Sequence, residues 1–280
     1  PLDELDNERF LFNFENFANY SLLSNNNFSP ICQNVFSPSF DKYKNAFDNV
    51  MYHLYRGDSY LLNLTFPIKI EINSSLKDLF FRINAKYKIF YDNQFLVFSP
   101  ETFVKIKDNL IYSYPMKGTI DASVNNAVEV LLKDEKELAE HYTIVDLIRN
   151  DLSLVAKKVR VNKFRFVDFL KTNKKNLYQT SSEICGELNK NWKSDIGTIL
   201  EKLLPAGSIS GAPKLKTCQI IAENEIDSRG FYTGVAGVFD GESLNSCVLI
   251  RFIENNNDNL VYRAGGGITT RSVCLQEFEE

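Results

Sequence analysis

The strongest constraint on the fold is a change of hydrophobic period partway along the chain. Over the first 110 residues, aromatic and β-branched residues recur with polar ones in short segments, such as Phe10–Phe17, Tyr60–Ile72 and Gln94–Phe98. This is the pattern of strands. From Lys133 to Val159 the period lengthens. Leu138, Val145, Ile148, Leu152, Val155 and Val159 fall at spacings of three, four and seven, as on one helix face. A second helix is expected from about Pro213 to Glu223, because proline suits a first helical turn. Strands are expected again at Tyr232–Phe239, Cys247–Ile253 and Leu260–Ala264, split by turn signals at Asp240–Gly241 and Asn255–Asn259. Cys274–Glu280 reads as the start of a further helix, and Asn25–Asn27 as a turn or a low-complexity loop. No repeat and no Pro/Gly/Ser linker interrupts the chain. One α+β domain over 1–280 is expected, with 1–98 a β-rich N-terminal portion and 99–280 carrying most of the chemistry.

Several functional classes are disfavoured at once. A net charge of −4 lacks the basic excess that nucleic-acid binding needs, so no nucleic-acid partner is expected. No run approaches the 18 or more apolar residues of a membrane helix. The acidic start, Asp3, Glu4, Asp6 and Glu8, has the wrong sign for a secretory leader. A cytoplasmic protein with no membrane partner is the expectation. Five scattered cysteines without a CxxC spacing argue against a disulfide framework or a structural zinc site. Only two histidines, His53 and His141, are present, and neither lies in a nucleophile motif.

Four features could carry chemistry. Pro205–Lys214 is a small-residue loop leading into a helix, either an anion site or a tight turn. Gly265-Gly266-Gly267 follows a strand, where backbone must be closely approached by a ligand or where a bulge forms. Glu137 and Glu140 share a helix face, and Glu277 and Glu280 repeat the spacing. Such pairs are solvated acids or oxygen ligands for a hard cation such as Mg2+. Lys117 is a surface charge unless burial or a neighbouring cation activates its amine.

The ordered motifs narrow these alternatives. Gly57-Asp58-Ser59-Tyr60-Leu61-Leu62-Asn63-Leu64, Ser99-Pro100-Glu101, Pro115-Met116-Lys117-Gly118-Thr119 and Ala139-Glu140-His141 come first. Val145–Leu152, Pro205–Lys214, Arg229–Gly234, Ile250-Arg251, Gly265–Ile268 and Glu277–Glu280 follow. From about residue 57 to the end, the series resembles the chorismate-utilising enzymes, which include anthranilate synthase component I, isochorismate and salicylate synthases and aminodeoxychorismate synthase component I. That resemblance implies two antiparallel β-sheets packed as a sandwich with helices outside. It implies Lys117 as a nucleophile on chorismate, because lysine at this position is similar to the aminodeoxychorismate branch, whereas anthranilate synthases carry a small residue there. The implied product is 4-amino-4-deoxychorismate, for 4-aminobenzoate and folate synthesis. Glu101 is implied as the general acid, with a raised pKa. Tyr232 and Arg251 are implied to hold the side-chain carboxylate. Gly118, Thr119, Gln179, Ser210, Gly211, Lys214, Gly265 and Gly267 complete the substrate contacts. Mg2+ is implied on Glu140 and Glu280, with Glu137 and Glu277 direct or through water.

Some positions depart from the family pattern. Gln179 stands where a histidine is frequent, Ile120 where arginine is common and Ser210 where threonine is usual. With no credible Cys–His–Glu triad, a separate glutamine amidotransferase should supply ammonia. A downstream aminodeoxychorismate lyase, separate or fused C-terminally beyond Glu280, should then remove pyruvate. Anthranilate synthase component I, isochorismate synthase, and a non-catalytic chorismate-binding subunit for an amidotransferase remain as alternatives.

Overall fold

A computed structural model describes residues 9–15, 17–20, 32–171, 175–257 and 259–279. In chain order the elements begin with β1 (Phe10–Phe14), β2 (Phe17–Ala18), β3 (Cys32–Phe36), α1 (Phe40–Tyr55), β4 (Leu61–Ile72), α2 (Leu76–Arg82), β5 (Tyr87–Tyr91) and β6 (Phe95–Ser99). There follow β7 (Thr102–Lys107), β8 (Leu110–Ser113), β9 (Met116–Asp121), α3 (Ala127–Lys133), α4 (Glu135–Ser153), β10 (Lys157–Leu170), β11 (Leu177–Glu187) and α5 (Ile196–Leu203). The chain continues through α6 (Gly207–Ser210), β12 (Gly211–Ala212), α7 (Lys214–Asn224), β13 (Val235–Phe239), β14 (Leu244–Val248), β15 (Phe252–Asn256), β16 (Asn259–Ile268) and α8 (Cys274–Glu279). The fold class is α+β, with two antiparallel sheets and helices. The chain divides into two compact units interleaved in sequence: residues 1–101, 209–237 and 247–280 in one, and 102–208 and 238–246 in the other.

The first unit is built on a nine-stranded sheet, order β12-β4-β16-β15-β6-β5-β1-β2, with β3 also on β4. Its centre is the long pairing of β16 with β4, which runs straight through the glycines: Gly265 opposes Thr65, Gly266 opposes Leu64 and Gly267 opposes Asn63. The triple glycine is therefore strand interior, not the loop after a strand. Helix α1 presents Tyr43, Phe47, Val50, Met51 and Leu54 to Leu62, Leu64 and Phe66 of β4, Ile220 and Ile221 of α7 and Ile268 of β16. Burial of such residues, at about 25 cal/mol per Å² of apolar area, is the main force holding helix to sheet. Phe278 of α8 closes this core, its ring 5.3 Å from those of Phe40 and Tyr43.

The expected strand over Cys247–Ile253 is two strands. β14 ends at Val248 and β15 begins at Phe252, and between them Arg251 adopts φ +54°, a left-handed conformation that turns the chain out of the extended run. The N-terminal portion is also less purely β than its aromatic content suggests, because it contains α1 and α2. Asn25–Asn27 lie outside the described residues.

The second unit contains most of a seven-stranded sheet, order β10-β11-β8-β7-β14-β13, with β9 also paired to β11. Helix α4 packs on β9, β10 and β11, burying His141, Ile144, Val145, Asp151 and Leu152. Asp134 caps it, its side chain accepting from the Glu137 N–H at 2.9 Å. No helix among the described residues is long and apolar enough to cross a membrane.

Candidate functional site

In the second unit, β9 and α4 bring four of the expected residues together. The Lys117 ammonium lies 2.6 Å from Glu140 Oε2. The Lys117 carbonyl accepts from the Thr180 hydroxyl of β11, and Gln179 pairs with Thr119 in the adjoining register. Glu137, one turn ahead of Glu140, turns its carboxylate onto Gly118. A Cβ on Gly118 would stand 2.9 Å from Glu137 Oε2, and Gly118 has φ +84°. Both facts select glycine.

Glu137 is the electrostatic outlier of this cluster. Burial pushes its carboxyl above the usual carboxylate range; the Lys117 ammonium pulls it back, while Glu140 and Asp134 push it up. Its Oε2 is buried and has no hydrogen-bond partner. An unsatisfied carboxylate oxygen beside a second carboxylate suits a hard cation that keeps most of its waters. Among the described residues no three metal-ligating side chains cluster, so a cation here would rest on one or two carboxylates with water and substrate completing its shell. Glu137 and Glu140 fit Mg2+ on those terms.

Directly after Glu140, His141 is fully buried, its Nε2 2.6 Å from Ser182 Oγ. Burial first, and then the Arg165 charge, lower its pKa to about 4, so it is a neutral imidazole at pH 7. Ser182 Oγ also accepts from the Arg165 N–H, and the Arg165 guanidinium donates to the Leu131 and Leu132 carbonyls at the end of α3. One hydrogen-bonded chain thus ties α3, α4, β10 and β11 together next to the acidic pair. The other histidine, His53, pairs through Nδ1 with Asp58 at 2.8 Å.

In the first unit lie Glu101, Ser210, Gly211, Lys214, Tyr232, Arg251, Gly265, Gly267 and Glu277. Tyr232 is buried, its ring 6.0 Å from that of Phe252, and burial raises its pKa to about 12 despite the pull of the Arg229 charge. Arg251 is exposed and meets the Tyr262 hydroxyl at 3.5 Å. A Cβ on Gly265 would overlap the Thr65 side chain and lie 2.6 Å from the Leu64 carbonyl. A Cβ on Gly211 (φ +117°) would overlap the Leu61 carbonyl. The Glu277 carboxylate reaches to 3.6 Å from the Cβ position of Gly266. Ser210 is buried, and Lys214 opens α7. Glu101 is held by its backbone, donating to Ser99 Oγ at 3.1 Å and accepting from the Val248 N–H at 3.2 Å. Glu280 lies outside the described residues.

Sequence reasoning did not find Tyr262, the Asp134 cap, the His141–Ser182 contact or the Glu225–Arg229 ion pair. The cap has a local signal, an Asp three residues ahead of an acid at the start of a helical period, and Glu225–Arg229 has one in its i,i+4 spacing.

Comparison with known proteins adds the following. A model of the chorismate binding enzymes matches residues 4–280. A protein of Haemophilus influenzae named as an uncharacterized PabA-like protein is 54% identical over 241 residues, 86% of this chain and 74% of that protein. Aminodeoxychorismate synthase component 1 of Bacillus subtilis is 30% identical over 255 residues, 86% of this chain and 53% of that protein. The crystal structure of anthranilate synthase component I from Streptococcus pneumoniae matches with a TM-score of 0.73 at 26% identity, over 90% of this chain and 57% of that one. The chain thus spans about three quarters of the first relative's length and little more than half of the other two.

Proposed function

Since this chain belongs to the family of chorismate binding enzymes, we propose that it converts chorismate and ammonia to 4-amino-4-deoxychorismate, with Lys117 as a covalent nucleophile. The observation that carries this reading is Lys117 on β9, its amine 2.6 Å from Glu140 and its charge acting on Glu137, whose Oε2 is buried without a hydrogen-bond partner. Glu140 is a proton acceptor at hydrogen-bond distance, but by itself it favours the ammonium; Mg2+ on the two glutamates would supply the neighbouring positive charge that frees the amine to attack.

The reaction balances without an oxidant or reductant. The Lys117 amine bonds to C2 of chorismate and gives up a proton to Glu140, both ring double bonds shift, and the C4–O bond breaks. Glu101 gives the departing hydroxyl its proton, and water leaves. Ammonia then bonds to C4, both double bonds shift back, the C2–N bond breaks, and Lys117 departs as the amine with the proton that ammonia gives up. The enolpyruvyl group stays on the product, so a lyase must remove pyruvate later. Arg251, with an exposed guanidinium that can fork onto a carboxylate, and the neutral Tyr232 hydroxyl bind the substrate's side-chain carboxylate. Ser210, Gly211, Lys214, Gly265, Gly267, Gly118, Thr119 and Gln179 are the remaining substrate contacts of this reading.

Glu137 and Glu140 would hold Mg2+. The ion supplies positive charge against the ring carboxylate. His53 lies beside Asp58 and His141 beside Ser182, and neither is in a nucleophile motif. This reading draws its ammonia from a separate glutamine amidotransferase.

Product analysis tests the reading. The protein is mixed with chorismate, Mg2+ and an ammonium salt, and the products are resolved by liquid chromatography and mass spectrometry. An aminated product retaining its enolpyruvyl group is expected. Anthranilate or isochorismate would keep the family and overturn the reaction. Unchanged chorismate, even after addition of an amidotransferase, would leave a binding subunit without chemistry.

A further inference from the structure

Arg229 opens the Arg229–Gly234 segment, of which the proposed reaction uses only Tyr232. Its guanidinium has five N–H donors, and five protein acceptors surround them. Nε donates to Glu225 Oε2 at 2.9 Å, and Nη2 to Glu225 Oε1 at 2.6 Å and to the Asn63 carbonyl at 2.7 Å. Nη1 donates to the Ile209 carbonyl at 3.2 Å and meets Thr233 Oγ1 at 3.5 Å. The side chains of Arg229 and Glu225 are only 14% and 5% exposed. An arginine whose donors are all taken inside the protein has none left for a ligand.

Ile209 and Thr233 adjoin residues of the proposed substrate site, Asn63 is the strand partner of Gly267, and Glu225 reaches the site through Thr65. Ile209 precedes Ser210 and Gly211. Thr233 follows Tyr232, and the Tyr232 N–H itself donates to the Arg229 carbonyl at 2.9 Å. Glu225 Oε1 also accepts from the Thr65 N–H at 3.0 Å and from its hydroxyl at 2.6 Å. Thr65 is the strand partner of Gly265, and its methyl group fills the space a side chain there would take. Thr233 is β-branched yet holds φ +63°, and its hydroxyl is tied back to the Tyr232 carbonyl at 2.6 Å. A backbone outlier of that kind persists only where its surroundings fix it, and such positions gather at functional sites.

We infer that the Arg229–Glu225 pair is a positioning device: it sets the Ser210–Gly211 loop, Tyr232 and the Gly265 strand relative to one another, and does not itself touch substrate. This inference rests on the proposed reading that these segments bind the dianion chorismate.

The test is calorimetric titration of the whole protein with chorismate in the presence of Mg2+, with melting temperature, kcat and KM measured in parallel. Arg229→Lys keeps the charge but loses the fork. It should raise the chorismate Kd about tenfold, the scale of one charge-assisted hydrogen bond. Thr65→Val removes only the hydroxyl and should weaken binding about threefold or more, whereas Thr65→Ser, which keeps it, should stay within about twofold of wild type. KM should follow Kd, with kcat at saturating chorismate little changed. A purely structural role would instead lower the melting temperature and the active fraction, so that kcat falls while KM and Kd stay at wild-type values. That pattern, or folded variants that all bind as the wild type does, overturns the inference. Should Arg229→Lys not fold, the Thr65 pair decides alone. If wild-type protein itself fails to bind chorismate, the proposed reading falls and takes this inference with it, an outcome distinct from wild-type binding that the variants leave unchanged.

Discussion

Lys117 and Glu140 form an ion pair at 2.6 Å in which the lysine side chain is 37% exposed and the glutamate 16%. The pair joins the proposed nucleophile to a proposed metal ligand. It also spans β9 and α4, so substitution of either residue perturbs both. The pair is open to water on the lysine side, and ion pairs with a solvated partner typically add only about 0–1 kcal/mol. The lysine should therefore be dispensable for folding and indispensable for chemistry.

Lys117→Ala should reduce amination by about 100-fold or more, equivalent to about 2.7 kcal/mol of barrier, with chorismate still bound and the melting temperature nearly unchanged. Lys117→Arg, which keeps a cation beside Glu140 but offers no nucleophilic amine, should be as inactive. Steady-state kinetics and calorimetry measure both. Substantial turnover in either variant would replace the covalent route with direct attack by ammonia.

Gly118→Ala tests the packing of the acidic pair. The new methyl group would stand 2.9 Å from Glu137 Oε2 on a backbone at φ +84°. The left-handed conformation alone costs a non-glycine residue about 1–2 kcal/mol. A loss of about 2–4 °C in melting temperature per kcal/mol is expected for a chain of this size. Displacement of Glu137 should also weaken Mn2+ binding, measured by electron paramagnetic resonance with Mn2+ standing in for Mg2+. A variant as stable as wild type would mean that β9 relaxes freely around this position.

His141 makes a prediction about acid. Its folded pKa of about 4 lies below the ordinary value of 6.5 because the buried imidazole resists charging. The unfolded chain therefore binds the proton more readily than the folded one between those values. Stability is fully present above about pH 6.5 and declines as pH falls toward 4. The full loss is roughly 3 kcal/mol, at 1.36 kcal/mol per unit. His141→Gln, which can still reach Ser182, should lose this component of the pH dependence. Urea titrations at pH 7, 5.5 and 4.5 measure the difference between the two proteins, and parallel profiles would refute the assignment.

Much of this architecture is written locally in the sequence. β4 appears as an alternating run and α7 as a helix after Pro213, each within a few residues of its observed limits, whereas the helical period read to Val159 overruns α4, which ends at Ser153, and Val159 belongs to β10. Helix α1 was hidden because its buried positions, Tyr43, Phe47 and Val50, are aromatic or β-branched and suggest strand by type while obeying a helical spacing. The break at Arg251 was hidden because its cause is a single left-handed residue inside an apolar run. At the site, Lys117, Gly118 and Glu140 were named from motif order and Glu137 from its spacing to Glu140, and the four lie together. The groups that hold them were not visible. His141 meets Ser182 across 41 residues and Glu225 meets Thr65 across 160, and no local pattern encodes such pairs.

Arg251 offers the sharpest separation of stability from function. Its φ of +54° is unfavourable for any residue with a Cβ, and its carbonyl accepts from the Phe98 N–H at 3.2 Å, while its side chain is exposed and meets the Tyr262 hydroxyl at 3.5 Å. Glycine keeps that backbone bond and removes the Cβ, so the stability and the proposed binding role of the guanidinium can be separated. Arg251→Gly should therefore raise stability, by about 0.5–1 kcal/mol net of glycine's larger unfolded-state entropy, while weakening chorismate binding by about tenfold or more. Tyr232→Phe is the companion variant. With a pKa of about 12 the hydroxyl stays protonated and donates throughout the working range, and the ring packs against Phe252 with or without it. Loss of that one donor should raise the Kd about tenfold with the fold intact. Calorimetric titration with chorismate, beside a melting curve for each variant, decides the matter. An Arg251→Gly protein that is both more stable and equally able to bind chorismate would remove Arg251 from the site.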